Sequence, residues 1–267
     1  MAHMGTSVSY ASDGAIGRVT FRRPESMNSL NDAVMADLFD ALRAANDDRG
    51  TRVLVLAGEG EHFCVGGDPA WEAEFDPDSV PAAMRLAAYV SAELRSSPKP
   101  VLGAIRGYCV GGGNELNLHL DATVASETAR FAQPETRWGI LPFWNTPQLL
   151  PSIVGERIAK EMLLFGRMYD AEQALEIGLV NAVVPDDRLE AEVDAWAAEL
   201  LDRSPTALAM VKVALNGAAS PTGAPFDHQA AMVSLAAGTE RYREELLGFY
   251  SARGERRPRP APGRRPR

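Results

Sequence analysis

Gly107-Tyr108-Cys109-Val110-Gly111-Gly112-Gly113-Asn114-Glu115-Leu116 is the stretch on which the reading of this chain turns. The apolar run before it, Pro100-Val101-Leu102-Gly103-Ala104-Ile105, reads as a buried strand, and Leu116-Asn117-Leu118-His119-Leu120 after it can start a helix. Three consecutive glycines between strand and helix bring bare backbone close to something. A helix start presents free N–H groups and the positive end of the helix dipole. Glu115 stands among them. The place reads as a holder for a developing oxyanion, with backbone donors beside a titrating acid.

Working outward, a second glycine site lies upstream in Phe63-Cys64-Val65-Gly66-Gly67-Asp68-Pro69, where Asp68 then Pro69 signals a helix start. Asp13-Gly14 between two short runs predicts a β-hairpin over 7–20. The spacing of Leu30, Val34, Met35, Leu38, Leu42 and Ala45 predicts a helix over 28–46, with Ser29 or Asn31 as its cap. Arg52-Val53-Leu54-Val55-Leu56-Ala57 reads as a buried strand, residues 82–94 as a helix, 121–125 as a strand, and 138–142 as a loop with an apolar face. Helices at 158–165 and 171–175, a strand at 179–184 and helices at 189–201 and from 204 to about 216 complete the pattern. A last helical segment follows at 226–250. Strands alternating with helices give an α/β class. The division expected is a core over 7–202, a helical C-terminal oligomerisation region over 203–250, and a disordered Arg/Pro tail over 251–267.

Composition narrows the classes. Of 267 residues 46% are apolar and 24% charged, enough to bury a large core. No apolar run nears the length of a membrane span, and no secretory leader pattern opens the chain; residues 1–6 look partly like an expression remnant and stay outside the fold reasoning. Net charge is −9, although residues 253–267 hold seven arginines against one glutamate. The acidic body argues against nucleic acid as the main partner. The two cysteines, Cys64 and Cys109, lie in glycine-bearing segments and fit a reduced, cytoplasmic setting, as packing residues.

Several chemistries drop out. The glycine run matches neither the dinucleotide fingerprint nor a phosphate loop, and no Gly-x-Ser-x-Gly elbow exists. The four histidines are scattered, with no metal-ligand spacing. What remains is two carboxylates in apolar, glycine-rich settings: Glu115, and Glu135 in Phe-Ala-Gln-Pro-Glu-Thr. Such a pair can split into acid and base roles; taken singly, each could equally cap a helix or face solvent.

These pieces resemble the crotonase (enoyl-CoA hydratase/isomerase) superfamily over most of residues 7–250. The resemblance is carried by 21–30 (Phe-Arg-Arg-Pro-Glu-Ser-Met-Asn-Ser-Leu), 62–68, 107–116, 131–135 (Phe-Ala-Gln-Pro-Glu) and 174–181 (Ala-Leu-Glu-Ile-Gly-Leu-Val-Asn), in the family's order and spacing. It implies a spiral of ββα units with a helical C-terminal region. It implies an enoyl-CoA hydratase whose paired acids are Glu115 and Glu135, and an oxyanion hole made by the backbone N–H groups of Val65 and Gly112. Coenzyme A enters as part of the substrate, with no metal and no separate cofactor. Candidate contacts for the CoA ester are Arg23, Met27, Asn28, Cys64, Val65, Gly66, Gly67, Asp68 and Gly111. A homotrimer or homohexamer is implied, with no membrane and no nucleic-acid partner.

Two departures qualify the likeness. Where family hydratases carry a Gly- and Ala-rich loop, this chain has Leu141-Pro142-Phe143-Trp144-Asn145-Thr146-Pro147. Phe143 and Trp144 either narrow or stack within the acyl pocket or pack in the core. Gly66-Gly67-Asp68 and Tyr169-Asp170 also resemble the naphthoate-synthase branch, which lacks the Glu115 and Glu135 pair and so ranks lower. Double-bond isomerisation, thioester hydrolysis and a non-catalytic CoA- or RNA-binding role are the alternatives.

Overall fold

A computed structural model describes residues 3–76 and 78–218. In chain order the elements are β1 (His3–Met4), β2 (Val8–Asp13), β3 (Ile16–Phe21), α1 (Asp32–Asp47), β4 (Val53–Gly58), α2 (Pro69–Glu72), α3 (Val80–Arg95), β5 (Val101–Ile105) and β6 (Tyr108–Val110). Then come α4 (Gly112–Asn117), β7 (Ala122–Ser126), β8 (Arg130–Ala132), α5 (Thr146–Val154), α6 (Glu156–Phe165), β9 (Tyr169–Asp170), α7 (Ala171–Glu176), β10 (Ala182–Val184), α8 (Leu189–Leu201) and α9 (Pro205–Ala218). The expected segment 226–250 and the tail 251–267 lie outside the described residues.

Seven strands form one sheet in the order β1-β2-β3-β4-β5-β7-β10, antiparallel as far as β3 and parallel from there on. Its middle strands are buried on both faces, which is why they read as unbroken apolar runs. Alternation sorts them: Leu54 and Leu56 join the core under α1 and α3, while Val53 and Val55 meet Leu189, Val193 and Ala197 of α8. Asn31 caps α1 by accepting the Val34 N–H at 3.0 Å, so the helix starts four residues later than a reading from Asn28 would have it. His3 and Met4 pair with Tyr10 and Ser9, giving the first residues a place in the sheet that the sequence reading had set aside.

The small second sheet positions the site. β6 runs parallel to β8 with Val110 opposite Ala132, and Cys64 bridges in parallel to Cys109 on the other side. Three chain segments therefore leave the sheet in the same direction: 65–67, 111–113 and 133–135. The second glycine site, the central glycine run and the Gln-Pro-Glu turn are brought together by that parallel alignment. Helix α5 was not foreseen. Its entry, Asn145-Thr146-Pro147, places proline in the first turn, a start signal hidden inside what reads as a loop.

Candidate active site

Glycine is required where the segments touch. A Cβ on Gly113 would stand 2.1 Å from the Cys64 carbonyl oxygen, and one on Gly66 would stand 2.8 Å from the Val110 carbonyl and 3.0 Å from the Gly112 nitrogen. Gly66 and Gly111 also take φ of +88° and +54°. Only bare backbone fits this crossing, and it sets the start of α4 against the 65–67 turn.

Glu115 lies in the first turn of α4 and is fully buried. Its Oε1 accepts two hydrogen bonds, from the Phe143 N–H at 2.8 Å and the Thr146 hydroxyl at 3.0 Å. Its Oε2 is buried without a hydrogen-bond partner. Glu135 opens a short 3-10 turn after β8, and its Oε1 accepts from the Gln133 side-chain amide at 3.1 Å. Its Oε2 is likewise buried without a hydrogen-bond partner. Each acid is thus held by one oxygen and presents the other.

Gln133 is the end of a directed chain. The Thr123 hydroxyl donates to Asn117, Asn117 to Asn114, Asn114 to Gln133, and Gln133 to Glu135, over 2.6, 3.4, 2.7 and 3.1 Å. Each amide donates onward in one direction, so the chain of donors ends on the Glu135 carboxyl oxygen.

Burial dominates the electrostatics. It raises Glu115 well above the ordinary carboxylate range, with the Glu135 charge adding to it. Burial likewise raises Glu135 to about 8, helped by the charge of Glu72. Two like acids in one apolar site do not both ionise near neutrality. The arrangement can therefore hold one proton between two carboxyls and transfer it.

The enoyl-CoA hydratase/isomerase family model matches residues 11–255. The chain belongs to the enoyl-CoA hydratase/isomerase family. Among solved structures it is similar to an enoyl-CoA hydratase from Mycobacterium avium subsp. paratuberculosis K-10 (27% identity, 96% of this chain and 99% of that one, TM-score 0.84). It is similar to an enoyl-CoA hydratase/isomerase from Mycobacterium paratuberculosis (29%, 92% and 99%, TM-score 0.85). An enoyl-CoA hydratase from Bacillus anthracis matches at 30% identity over 95% and 98%, with a TM-score of 0.77. The crotonase-type fold expected from the sequence is the fold observed.

As a member of this family, the chain places its other candidate residues unevenly. Gly112 opens α4, where backbone N–H groups have no intrahelical acceptor, and so fits an oxyanion donor. The Val65 N–H instead reaches the Met27 carbonyl at 3.3 Å, a long bond that a substrate oxygen would have to displace. Met27 and Asn28 hold that carbonyl in place through left-handed φ of 52° and 57°.

Three of the candidate contact residues have side chains already engaged within the fold. Asn28 is buried, and its side chain is used up inside the turn, accepting from the Arg23 N–H and donating to the Glu59 and His62 carbonyls. Cys64 is buried with its thiol pushed up to about 12 by burial, so its side chain packs rather than binds. Trp144 is also core: its ring is 1% exposed and its indole N–H donates to the Ala87 carbonyl. Phe143 is half-buried, stacked on Trp144 and joined to the apolar cluster around Phe75, which leaves it the one ring of the pair able to line an acyl pocket. Arg23 is half-buried, donates to the Ser29 carbonyl and lies 3.9 Å from Asp68, which caps α2.

The sequence reading missed Thr146 and the Phe143 N–H as holders of Glu115, and Gln133 as the holder of Glu135. Gln133 carried a signal, a polar residue between a buried strand and a proline. Thr146 carried none, because its approach depends on Trp144 and Asn145 both lying at φ near +60°. A surface cleft of about 630 Å³, lined by His62, Arg106, Tyr108, Arg130 and Asp186 among others, contains neither acid.

Proposed function

We propose that the chain hydrates 2-enoyl thioesters of coenzyme A. The observation that carries this is the pair Glu115 and Glu135, each fixed through Oε1 and each with a buried Oε2 left over. Family membership supports the substrate class.

The thioester oxygen rests on the Gly112 N–H, with the Val65 N–H turned to it from Met27. With the pair's shared proton on Glu135, Glu115 is the ionised partner; its two donors offset part of the rise that burial causes, and it takes a proton from water as the water oxygen bonds C3. The C2–C3 π electrons move to the thioester as an enolate, which the backbone donors stabilise. Glu135, protonated at neutral pH, returns a proton to C2, completing a syn addition. Each acid ends in the other's starting state. Isomerisation would use one acid and no water, and the presence of two acids, each held through one oxygen, favours hydration.

The same reading has the chain working in the cytoplasm as a homotrimer or homohexamer, with no resident cofactor. A spectrophotometric assay with crotonyl-CoA tests it. Loss of the enoyl-thioester absorbance with formation of a 3-hydroxyacyl-CoA is expected; a shifted double bond without water uptake would favour the isomerase.

A further inference from the structure

Asn114 and Asn117 stand about one turn apart on α4, and Thr123 follows on β7. With Gln133, which leaves β8, they form a line of polar side chains through the interior: Asn114 and Gln133 are fully buried, Asn117 and Thr123 nearly so. The far end of the line is clamped. The Thr123 N–H donates to the Asn181 side-chain oxygen at 2.8 Å, and the Asn181 N–H donates back to the Thr123 carbonyl at 2.9 Å. The Thr123 hydroxyl then donates to Asn117 Oδ1 at 2.6 Å, the shortest link of the chain.

Buried amides are costly unless paired, and apolar side chains would fill the same space without that cost. What an apolar set cannot do is give an amide a direction. The two ends of a carboxamide are alike in outline and opposite in hydrogen bonding. Gln133 lies between two partners, with Asn114 Nδ2 at 2.7 Å from its Oε1 and Glu135 Oε1 at 3.1 Å from its Nε2. While Asn114 presents a donor, the Gln133 oxygen is held on that side and an N–H faces the acid. Turned round, Gln133 would set its oxygen against a carboxyl oxygen, which only a protonated Glu135 tolerates.

We propose that Asn114 is a positioning residue for the proton transfer at Glu135, fixing through Gln133 an N–H donor on the carboxyl as its proton leaves. The inference rests on the hydration reading above, in which Glu135 delivers that proton to C2. A donor on the carboxyl favours the carboxylate over the acid, and so pulls back part of the rise that burial gives Glu135. The other titratable groups acting there are Glu72 from α2, which pushes the opposite way, and Glu115 from α4, which competes for the same proton.

The test follows the pH dependence of crotonyl-CoA hydration in Asn114→Leu, Gln133→Met and the double variant, each checked for folding by circular dichroism. Asn114→Leu should lower kcat about tenfold with KM little changed. It should also move the alkaline limb of kcat upward by about one pH unit, because an acid without its donor holds its proton longer. A variant that merely loosens the fold lowers kcat and leaves the limb where it was. In the Gln133→Met background, Asn114→Leu should add little further loss. If Asn114→Leu does not fold, the isosteric Asn114→Asp takes its place: an ionised carboxylate there accepts from Gln133, turns it round and moves the limb the same way. An unmoved limb in a folded Asn114 variant, or losses that simply multiply in the double variant, overturns the proposal. If crotonyl-CoA is not hydrated at all, the Glu135 carboxyl band is titrated by infrared spectroscopy, with Glu135→Gln as the subtraction. An upward displacement in the Asn114 variant then sustains the role of Asn114 while the hydratase reading falls, and an unmoved band overturns it.

Discussion

Glu115 and Glu135 are alike in residue type, yet Glu115 is fully buried, Glu135 is half-buried, and they are held differently. Glu115 Oε1 takes two donors, one of them backbone, and Glu135 Oε1 takes a single side-chain amide. Glu115→Gln and Glu135→Gln should each lower the hydration rate by at least about 100-fold, with CoA-ester binding retained in calorimetry. Thr146→Val removes one donor from Glu115 and should lower kcat by roughly tenfold, as loss of about 1.5 kcal/mol implies. An unchanged kcat in Thr146→Val would show that the Phe143 N–H suffices. The raised acids also bear on stability. Between the ordinary carboxylate value of 4.5 and about 8, the folded chain keeps a proton on Glu135 that the unfolded chain releases. Their contribution to stability is therefore full below pH 4.5 and is lost as pH rises through that window. Glu135→Gln should raise Tm over wild type at pH 8 and give little gain at pH 4.5, as followed by circular dichroism. A gain that does not vary with pH would contradict the raised value. Both acids and the glycines around them were legible in the sequence, because carboxylates in apolar, glycine-bearing runs are rare there. Thr146, and Val65 bonded to Met27, were not, since each depends on contacts between segments far apart in the chain.

The element that decides the geometry of Glu115 is the turn from Phe143 to Thr146, entering α5. Trp144 and Asn145 lie in left-handed backbone, a costly state for a tryptophan that its burial and its indole hydrogen bond to Ala87 offset. His119 holds the same turn from below, its Nε2 2.8 Å from the Trp144 carbonyl, and burial drives its pKa down to about 4, so it stays neutral. Trp144→Gly should therefore cost about 3–5 kcal/mol of stability rather than reshape acyl selectivity, which a urea melt and a substrate series can separate. An aromatic doublet in a loop could not be divided from sequence into one core ring and one pocket ring, because the division depends on φ at Trp144. The caps were easier: Asn31 and Asp68 both act where a short polar residue precedes a helical run. At the crossing of α4 and the Cys64 segment, Gly113→Ala would drive a methyl into backbone that cannot yield. A loss of about 1–3 kcal/mol is expected in the same melt.

At the scale of the molecule, the seven-stranded sheet serves as support and the parallel alignment of Cys64, Cys109 and Phe131 is what gathers the site. The strands of the large sheet were legible as apolar runs; of the second sheet only the extended piece at 130–133 was, its members being three residues or fewer. Helix α9 leaves Val211 and Leu215 exposed at 57% and 68%, an apolar face one turn long. We propose this face as a subunit contact of the assembly. Val211→Glu with Leu215→Glu should shift the sedimentation velocity toward monomer, and an unshifted assembly would move the contact elsewhere. The central claim is that water adds across the enoyl thioester between two paired acids. It is tested most directly by turnover of crotonyl-CoA in water labelled with oxygen-18 and deuterium, followed by mass spectrometry. The account predicts a 3-hydroxyacyl-CoA with labelled oxygen at C3 and one deuterium at C2, lost in both Glu115→Gln and Glu135→Gln. Full labelling in either variant, or a rearranged double bond with no labelled oxygen, would contradict it.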